Sequence, residues 1–290
     1  MQRLGKTLST VILGGWSYVI IISLYVPFII MFILSFNGLT GGSTFPMRGV
    51  SLGWWISLWD PSIIVKVSGT GAGFAGTYWG GLGRSLVLAF MTMITSTILA
   101  LLAAQAFRKR FRGSSFLFYF YLLAMVLPGL VVSLGLTLTF NALDIEKKWY
   151  LTTFFVHVLW TFPFCFLIML VFFSRFDTTL EDAALNLGAN EYQTFLRVTL
   201  PQVGPGIMAS ALFGFTLSYD EAIRSLLVTG LDNTLPLLIW ATLQERVTPR
   251  LYAIGSMTTL ISFGIIALYL ILSKRMLMKK MQVSMEETET

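Results

Sequence analysis

The sequence predicts an all-α membrane protein with about six transmembrane helices, each of the length that spans a bilayer. Three observations carry this expectation. Of its 290 residues, 56% are hydrophobic and only 12% are charged, and the mean hydropathy is +0.77. A water-soluble chain of this length does not cover so much apolar surface with so few charges. The apolar residues also collect into long runs: Trp16–Phe36, Ser85–Phe107, Phe116–Phe140, Trp149–Phe173, Pro205–Gly230 and Leu251–Leu272. Each reaches the roughly 20 residues that a helix needs to cross a hydrocarbon core. The runs are apolar all round, unlike the short alternating strands of a barrel.

Arg3 and Lys6 precede the first run. The run is too long for a secretory leader and no small-residue cleavage site follows, so a retained first span is expected. The longest connection comes next, from Asn37 to Arg84, and contains "LGWWISLWDP". Trp54, Trp55 and Trp59 suit either an amphipathic segment at the membrane surface or a docking surface for an external partner. The following "GTGAGFAGTYWGGLG" reads as a pliable approach to the second span. It lacks the lysine and helix-start context of a phosphate cradle.

The fourth run contains the lone histidine, His157, and the lone cysteine, Cys165. A single cysteine allows neither an internal disulfide nor a Cys-based metal site, and one histidine does not make a zinc site. A structural partner for the His157 ring is the expected reading, though polar groups at membrane depth always invite a functional one. The sequence has neither a Gly-x-Ser-x-Gly elbow nor a nucleotide-binding Gly-x-x-x-x-Gly-Lys-[Ser/Thr] loop. Any ATP chemistry must therefore reside on another chain, and no enzyme activity or cofactor is expected of this one.

Basic residues set the expected orientation. Arg3 and Lys6, then Arg108, Lys109, Arg110 and Arg112 in "FRKRFRG", then Arg175 and Arg197, then Lys274, Arg275, Lys279 and Lys280 all fall on one side of six crossings. Arg48, Lys66, Lys147, Lys148, Arg246 and Arg250 are spread more thinly over the opposite loops. Both termini are thus expected in the cytoplasm. The same bias accounts for the net charge of +6, so nucleic acid is not an expected partner.

Between the fourth and fifth runs lies the longest largely polar interval, "TTLEDAALNLGANEYQTFLRVTLPQVGPGI". Thr179 and Asp182 have capping-box spacing, which predicts a helix starting at Leu180. Gly188 can adopt a positive φ at its end. Asn190 with Gln193 repeats the capping pattern and opens a second short helix, which Pro201 is expected to end. Ala183 and Ala184 give a smooth face that another protein can approach closely. Helices this short need packing to hold them.

These residues resemble the cytoplasmic coupling loop of permease subunits of type I ABC importers, whose signature is Glu-Ala-Ala, then Gly, then Leu-Pro. Here "DAALNLGA" and "TLP" supply Asp182, Ala183, Ala184, Gly188, Leu200 and Pro201 at the family spacing. Asp182 stands where the family usually has glutamate, and Glu181 precedes it. "LGWWISLW", "FRKRFRG", "FTLSYDEAIRSLLVTG" and "TLPLLIW" extend the resemblance over nearly the whole chain. They are most similar to the second permease subunit of spermidine/putrescine-type systems.

The resemblance implies a type I ABC importer permease fold in the bacterial inner membrane, multi-pass. It also implies a second permease subunit (a heterodimer), two cytoplasmic ATPase subunits carrying ATP and Mg, and a periplasmic solute-binding protein. The short helices would fit a groove on the ATPase, and closure of the ATPase pair on nucleotide would rock the attached spans.

The second constellation is "LSYDEAIRSLL" in the fifth run. Asp220, Glu221 and Arg224 lie in apolar sequence, roughly 22 Å along a helix from Pro205. Asp220 with Arg224 or Glu221 with Arg224 can pair on one helix. An internal ion pair that fixes packing is one reading. The other puts these groups beside a translocation pathway, where the resemblance also places them.

The resulting expectation is one transmembrane domain over residues 1–290, with a periplasmic loop at 37–84, a coupling loop at 175–204 and a cytoplasmic tail at 274–290. Its cargo is a small polar organic solute: polyamine-like by resemblance, with other organic cations, amino acid derivatives, phosphonates or iron complexes open. Alternating access would be driven by a separate ATPase. The alternative is a gradient-driven secondary transporter using Asp220, Glu221 and Arg224. A membrane scaffold without transport activity leaves the intramembrane charges unexplained.

Overall fold

Lipid offers no partner to backbone N–H and C=O groups, so the apolar runs satisfy them internally as helices. The computed structural model describes the backbone of residues 2–39, 45–59, 75–109, 111–245 and 247–289, and side chains for 14–39, 45–59, 78–109, 111–244 and 247–271. The helices are α1 (Gln2–Leu34), the one-turn α2 (Gly53–Ile56), α3 (Ala75–Phe107), α4 (Ser114–Val126), α5 (Gly129–Ala142) and α6 (Phe154–Ser174). There follow α7 (Thr179–Asn186), α8 (Glu191–Thr194), α9 (Leu200–Gln202), α10 (Gly204–Tyr219), α11 (Leu235–Glu245) and α12 (Pro249–Glu289). π-helical turns at Trp149–Thr153 and Phe195–Thr199 lead into α6 and join α8 to α9. No strand occurs among the described residues, only an isolated bridge between Asn37 and Val50.

Four helical stretches are long and apolar enough to cross a membrane: Gly14–Leu34, Tyr78–Phe107, Trp149–Ser174 and Pro249–Ile271. Two bent pairs bring the number to six when each is counted as one span: α4 with α5, bent by 105°, and Glu191–Gln202 with α10, bent by 68°. The expected all-helical fold of about six spans is therefore what the chain adopts.

Several expected details differ. The third run is broken, because Pro128 lacks an N–H and forces Leu127 into an extended conformation (φ −64, ψ 131). The fifth run does not continue as helix to Gly230: α10 ends at Tyr219 and turns occupy Asp220–Leu231. Pro201 does not end its helix but sits in the first turn of α9, where its missing N–H costs nothing, and the bend falls at Val203. Gly80, Gly81 and Gly83, expected in a pliable approach to the second span, are already helical in α3. The expected tail beyond Lys274 continues the α12 backbone to Glu289. The loop segment 60–74 with Lys66, and residues Arg110 and Arg246, lie outside the described residues. So do the side chains of Arg3, Lys6, Lys274, Arg275, Lys279 and Lys280.

The chain forms two contact units, one of Met1–Thr77 with Ala241–Ile265 and one of Tyr78–Trp240 with Ile266–Thr290. In the first, buried Asn37 closes the turn after α1, its Oδ1 accepting from the N–H groups of Gly38 (2.9 Å) and Arg48 (3.1 Å). Trp54 is buried, whereas Trp55 stacks on Phe36 at 5.6 Å and donates its indole N–H to Ser35 Oγ at 3.0 Å. Only Trp59 of the three is well exposed.

In the second unit, α6 packs closely on α10 through small residues four apart, the spacing that lets membrane helices approach. A Cβ at Gly206 would stand 2.5 Å from Phe172 Cγ, and one at Gly214 would stand 3.1 Å from Cys165 Sγ. Between them the Ser210 carbonyl accepts from the Cys165 thiol at 3.4 Å. Ala100 and Ala104 of α3 pack with Cys165, Phe166, Met169 and Phe173 of α6 and with Val203 at the bend. Ser96 and Thr161 hydroxyls join α3 to α6 at 2.6 Å. This core carries both candidate sites.

Candidate functional sites: an anchored helical hairpin and a stapled break

The hairpin is built from local signals. Asp177 opens α7, with its Oδ1 accepting from the Thr179 N–H (3.0 Å) and Thr179 Oγ1 (2.8 Å). The expected cap by Thr179 does not form: Thr179 is already the first helical residue, its hydroxyl is turned back to Asp177, and the Asp182 N–H donates to the Thr178 carbonyl at 3.2 Å. These bonds stabilise the ionised form and hold the Asp177 carboxyl below its ordinary range. Gly188 turns the chain at φ 89. Asn190 and Gln193 form the expected capping box, with bonds of 2.8 and 3.1 Å.

What holds the hairpin is Glu181. Its carboxylate accepts two parallel bonds from the Arg108 guanidinium, at 2.8 and 2.7 Å, and a third from Thr199 Oγ1. Arg108 follows the last turn of α3, so one carboxylate ties α3, α7 and the turn before α9 together. The guanidinium lies 4.8 Å from the Phe176 ring centroid and 5.5 Å from that of Phe173, which shields the pair. The Arg108 hydrogen bonds hold the Glu181 carboxyl below the usual glutamate range, against the opposing effect of burial. A cavity of about 340 Å³ opens beside the pair, lined among others by Gln105, Lys109, Glu191 and Thr194.

The residues singled out from sequence sit on the other side of this anchor. Asp182, Ala183, Leu187, Gly188 and Pro201 are exposed, while Ala184 and Leu200 are half-buried. In the sequence Arg108 belongs to the basic cluster "FRKRFRG", and nothing local links it or Thr199 to Glu181. The carboxylate adjacent to Asp182 is the sequence's sole trace of the contact.

The second site is the break between α10 and α11. Irregular backbone between apolar helices needs partners from protein, and here side chains from distant helices provide them. Ser133 and Thr137 of α5 donate to the carbonyls of Arg224 (2.6 Å) and Leu227 (3.1 Å). Thr152 donates to the Val228 carbonyl at 2.6 Å. Arg84 Nε donates to the Asn233 carbonyl at 2.9 Å, and the Leu235 N–H donates to Ser85 Oγ at 2.9 Å. Arg84 also faces Asp232 at 3.5 Å.

His157 has the structural partners expected of it. Nδ1 meets Ser218 Oγ at 2.8 Å and Nε2 meets Ser225 Oγ at 2.7 Å, with the ring 1% exposed. The Ser225 hydroxyl donates its one proton to the Glu221 carbonyl at 2.9 Å. It must therefore accept from Nε2–H, which leaves Nδ1 to accept from Ser218. The ring thus bridges the last turn of α10 and the turns beyond it.

Asp220, Glu221 and Arg224 are brought into these turns rather than onto one helix. Of the two pairings open from sequence, Glu221 with Arg224 forms: Nη1 to Oε2 at 2.8 Å, with the Arg224 N–H also donating to Oε1 at 2.9 Å. Asp220 has no salt bridge among the described residues. The Arg224 guanidinium carbon lies 3.3 Å from the Trp160 ring centroid. Neither Trp160 nor His157 was placed at this site by sequence, since both read as part of an apolar run. No group of histidine, cysteine or carboxylate side chains among the described residues is placed to hold a metal.

Residues 96–278 match the family described as "Binding-protein-dependent transport system inner membrane component". The chain is 27% identical over 251 residues to the spermidine/putrescine transport system permease protein PotC of Escherichia coli (strain K12), covering 86% of this chain and 89% of that one. It is 27% identical over 259 residues to the putrescine transport system permease protein PotI of the same strain, covering 85% and 86%. Among solved structures, a bacterial ABC transporter involved in the import of the acidic polysaccharide alginate matches with a TM-score of 0.65. That match covers 94% of this chain and 96% of that one at 16% identity, a likeness of fold.

Proposed function

The chain belongs to the family of binding-protein-dependent transport system inner membrane components, and from that premise we propose how it works as a permease subunit. It pairs with a second permease, receives cargo from a periplasmic solute-binding protein, and passes it inward by alternating access driven by two cytoplasmic ATPase subunits. ATP and Mg reside on those subunits. Both termini and the 175–204 hairpin face the cytoplasm, and the 37–84 connection faces the periplasm.

One observation carries this reading. The hairpin presents Asp182, Ala183 and Gly188 outward while Glu181 locks it to Arg108. A push on the exposed face is then transmitted to α3, and through the short α9 to α10, without being absorbed by slack. That is what a lever between an ATPase groove and the spans requires, with Leu200 and Pro201 at its junction. Asp220, Glu221 and Arg224 belong to the translocation pathway, at the stapled break. A polyamine-like organic cation is the favoured cargo, on the likeness to PotC and PotI and the transport they are named for.

Cross-linking tests the lever. Ala183→Cys is exposed and the native Cys165 is buried. With the ATPase subunits present, the new thiol should form a specific cross-link to them that nucleotide alters. Labelling of Ala183→Cys by a small thiol reagent that the ATPase never blocks would contradict the reading. Uptake that follows an ion gradient and needs no ATPase would favour the rival, a secondary transporter using Asp220, Glu221 and Arg224.

A further inference from the structure

Glu221 and Trp160 already hold a cation, and it is the chain's own. The Arg224 guanidinium sits between the Glu221 carboxylate at 2.8 Å and the Trp160 ring at 3.3 Å, with side-chain exposures of 12% for Arg224 and 9% for Glu221. A carboxylate beside an aromatic face is the pair of groups that binds organic ammonium and guanidinium ions. The site is also cleared for this occupant. Gly129, the first residue after the Pro128 break, leaves a gap where a Cβ would come within 3.0 Å of Arg224 Cγ and Cζ.

The backbone around the site is fixed independently of the guanidinium. Ser133 holds the Arg224 carbonyl, and the Arg224 N–H is bound to Glu221 Oε1. The side chain can therefore leave without unfolding the turn.

We propose that Glu221 and Trp160 form a binding site for the ammonium or guanidinium group of an organic cation, and that Arg224 fills it as a tethered placeholder which cargo displaces. The proposal rests on the reading of this chain as an organic-cation permease. An empty site would leave Glu221 buried and unpaired, at a high cost. Exchanging one cation for another avoids that state at both loading and release. A tethered competitor has a local concentration on the order of millimolar, so it weakens cargo binding, as suits a pathway that must release what it takes.

The test uses the assembled transporter in lipid nanodiscs and methylguanidinium as the probe. Arg224→Ala should lower the thermal midpoint of the complex. Methylguanidinium at about millimolar concentration should restore it saturably, while sodium chloride at equal ionic strength should not. Adding Glu221→Gln to Arg224→Ala should abolish the restoration, and the unmodified complex should show a much smaller shift, because there the probe must displace Arg224. Arg224→Met, which keeps bulk over Trp160, serves in the same assay if the alanine variant does not insert.

In uptake, removal of the competitor should lower KM for putrescine by roughly threefold or more, with the maximal rate reduced. No effect of methylguanidinium on either variant would overturn the placeholder even if cations are transported. Saturable restoration without any cation uptake would sustain the site and overturn the cargo reading.

Discussion

Arg108 and Glu181 hold each other through two parallel hydrogen bonds of 2.8 and 2.7 Å across 73 positions of sequence. Bidentate pairs of this kind are both strong and directional. Half-shielded by Phe173 and Phe176, the pair lies between exposed ion pairs and fully buried ones. Arg108→Ala or Glu181→Gln should therefore cost about 1–3 kcal/mol. Because the pair is the hairpin's anchor, the larger effect should be functional. ATP hydrolysis by the assembled complex should persist while uptake per ATP falls severalfold. Measuring both rates on the same preparation checks this, and unchanged coupling in both variants would remove the anchor from the account.

The same pair predicts a pH dependence. The Glu181 pKa is lowered in the folded protein, so its stabilisation is complete above the unfolded glutamate value of about 4.3 and is lost as pH falls through the folded one. Thermal midpoints should be insensitive to this group from pH 5 to 8. Below about pH 4 the wild type should lose more stability than Glu181→Gln. Parallel pH profiles for the two proteins would contradict the assignment.

The outer face of the hairpin should be needed for coupling rather than for insertion. Gly188 turns at φ 89 with open space around it. Gly188→Pro demands a φ near −65 and should misdirect α8, while Ala184→Arg adds bulk to the small face. Both should leave membrane-inserted protein near normal and abolish uptake. Normal ATPase co-purification together with normal uptake in both variants would sink the idea.

His157 ties Ser218 to Ser225 and, through Ser225, to the Glu221 carbonyl. If the break lines the pathway as proposed, His157 positions it, and its loss should move KM for cargo. His157→Gln places an amide donor near Nε2 and should keep KM within about twofold, whereas His157→Ala should raise it about tenfold or more, equivalent to 1.4 kcal/mol. Equal KM values in the two variants, with only protein level changed, would reduce His157 to packing.

The hairpin was largely legible because its signals are local. Asn190 with Gln193 and the turn at Gly188 are encoded within a few residues of where they act. The spans were legible for the same reason, their composition being the cause of their helicity. The Arg108–Glu181 pair was not, because each charge had a sufficient local explanation and their meeting depends on how α3 packs on α6.

The break after Tyr219 was hidden for a related reason. The apolar run continues in sequence to Gly230, yet the backbone there is decided by Ser133, Thr152, His157 and Arg84, all supplied by distant segments. Pro128 was visible in the third run. The size of the bend, 105° between α4 and α5, was not, because a proline fixes where a helix breaks and not the angle at which the chain resumes.

The central claim is that this chain moves solute only as part of an ATP-driven, binding-protein-dependent importer. The direct measurement is putrescine uptake into proteoliposomes containing the chain with its partner permease and ATPase subunits. ATP is enclosed or omitted, the binding protein is supplied or withheld, and ion gradients are collapsed. The account predicts uptake that requires both ATP and the binding protein, survives loss of the gradients, and disappears in Gly188→Pro. Uptake by this chain without ATPase subunits, abolished when the ion gradient is collapsed, would contradict it.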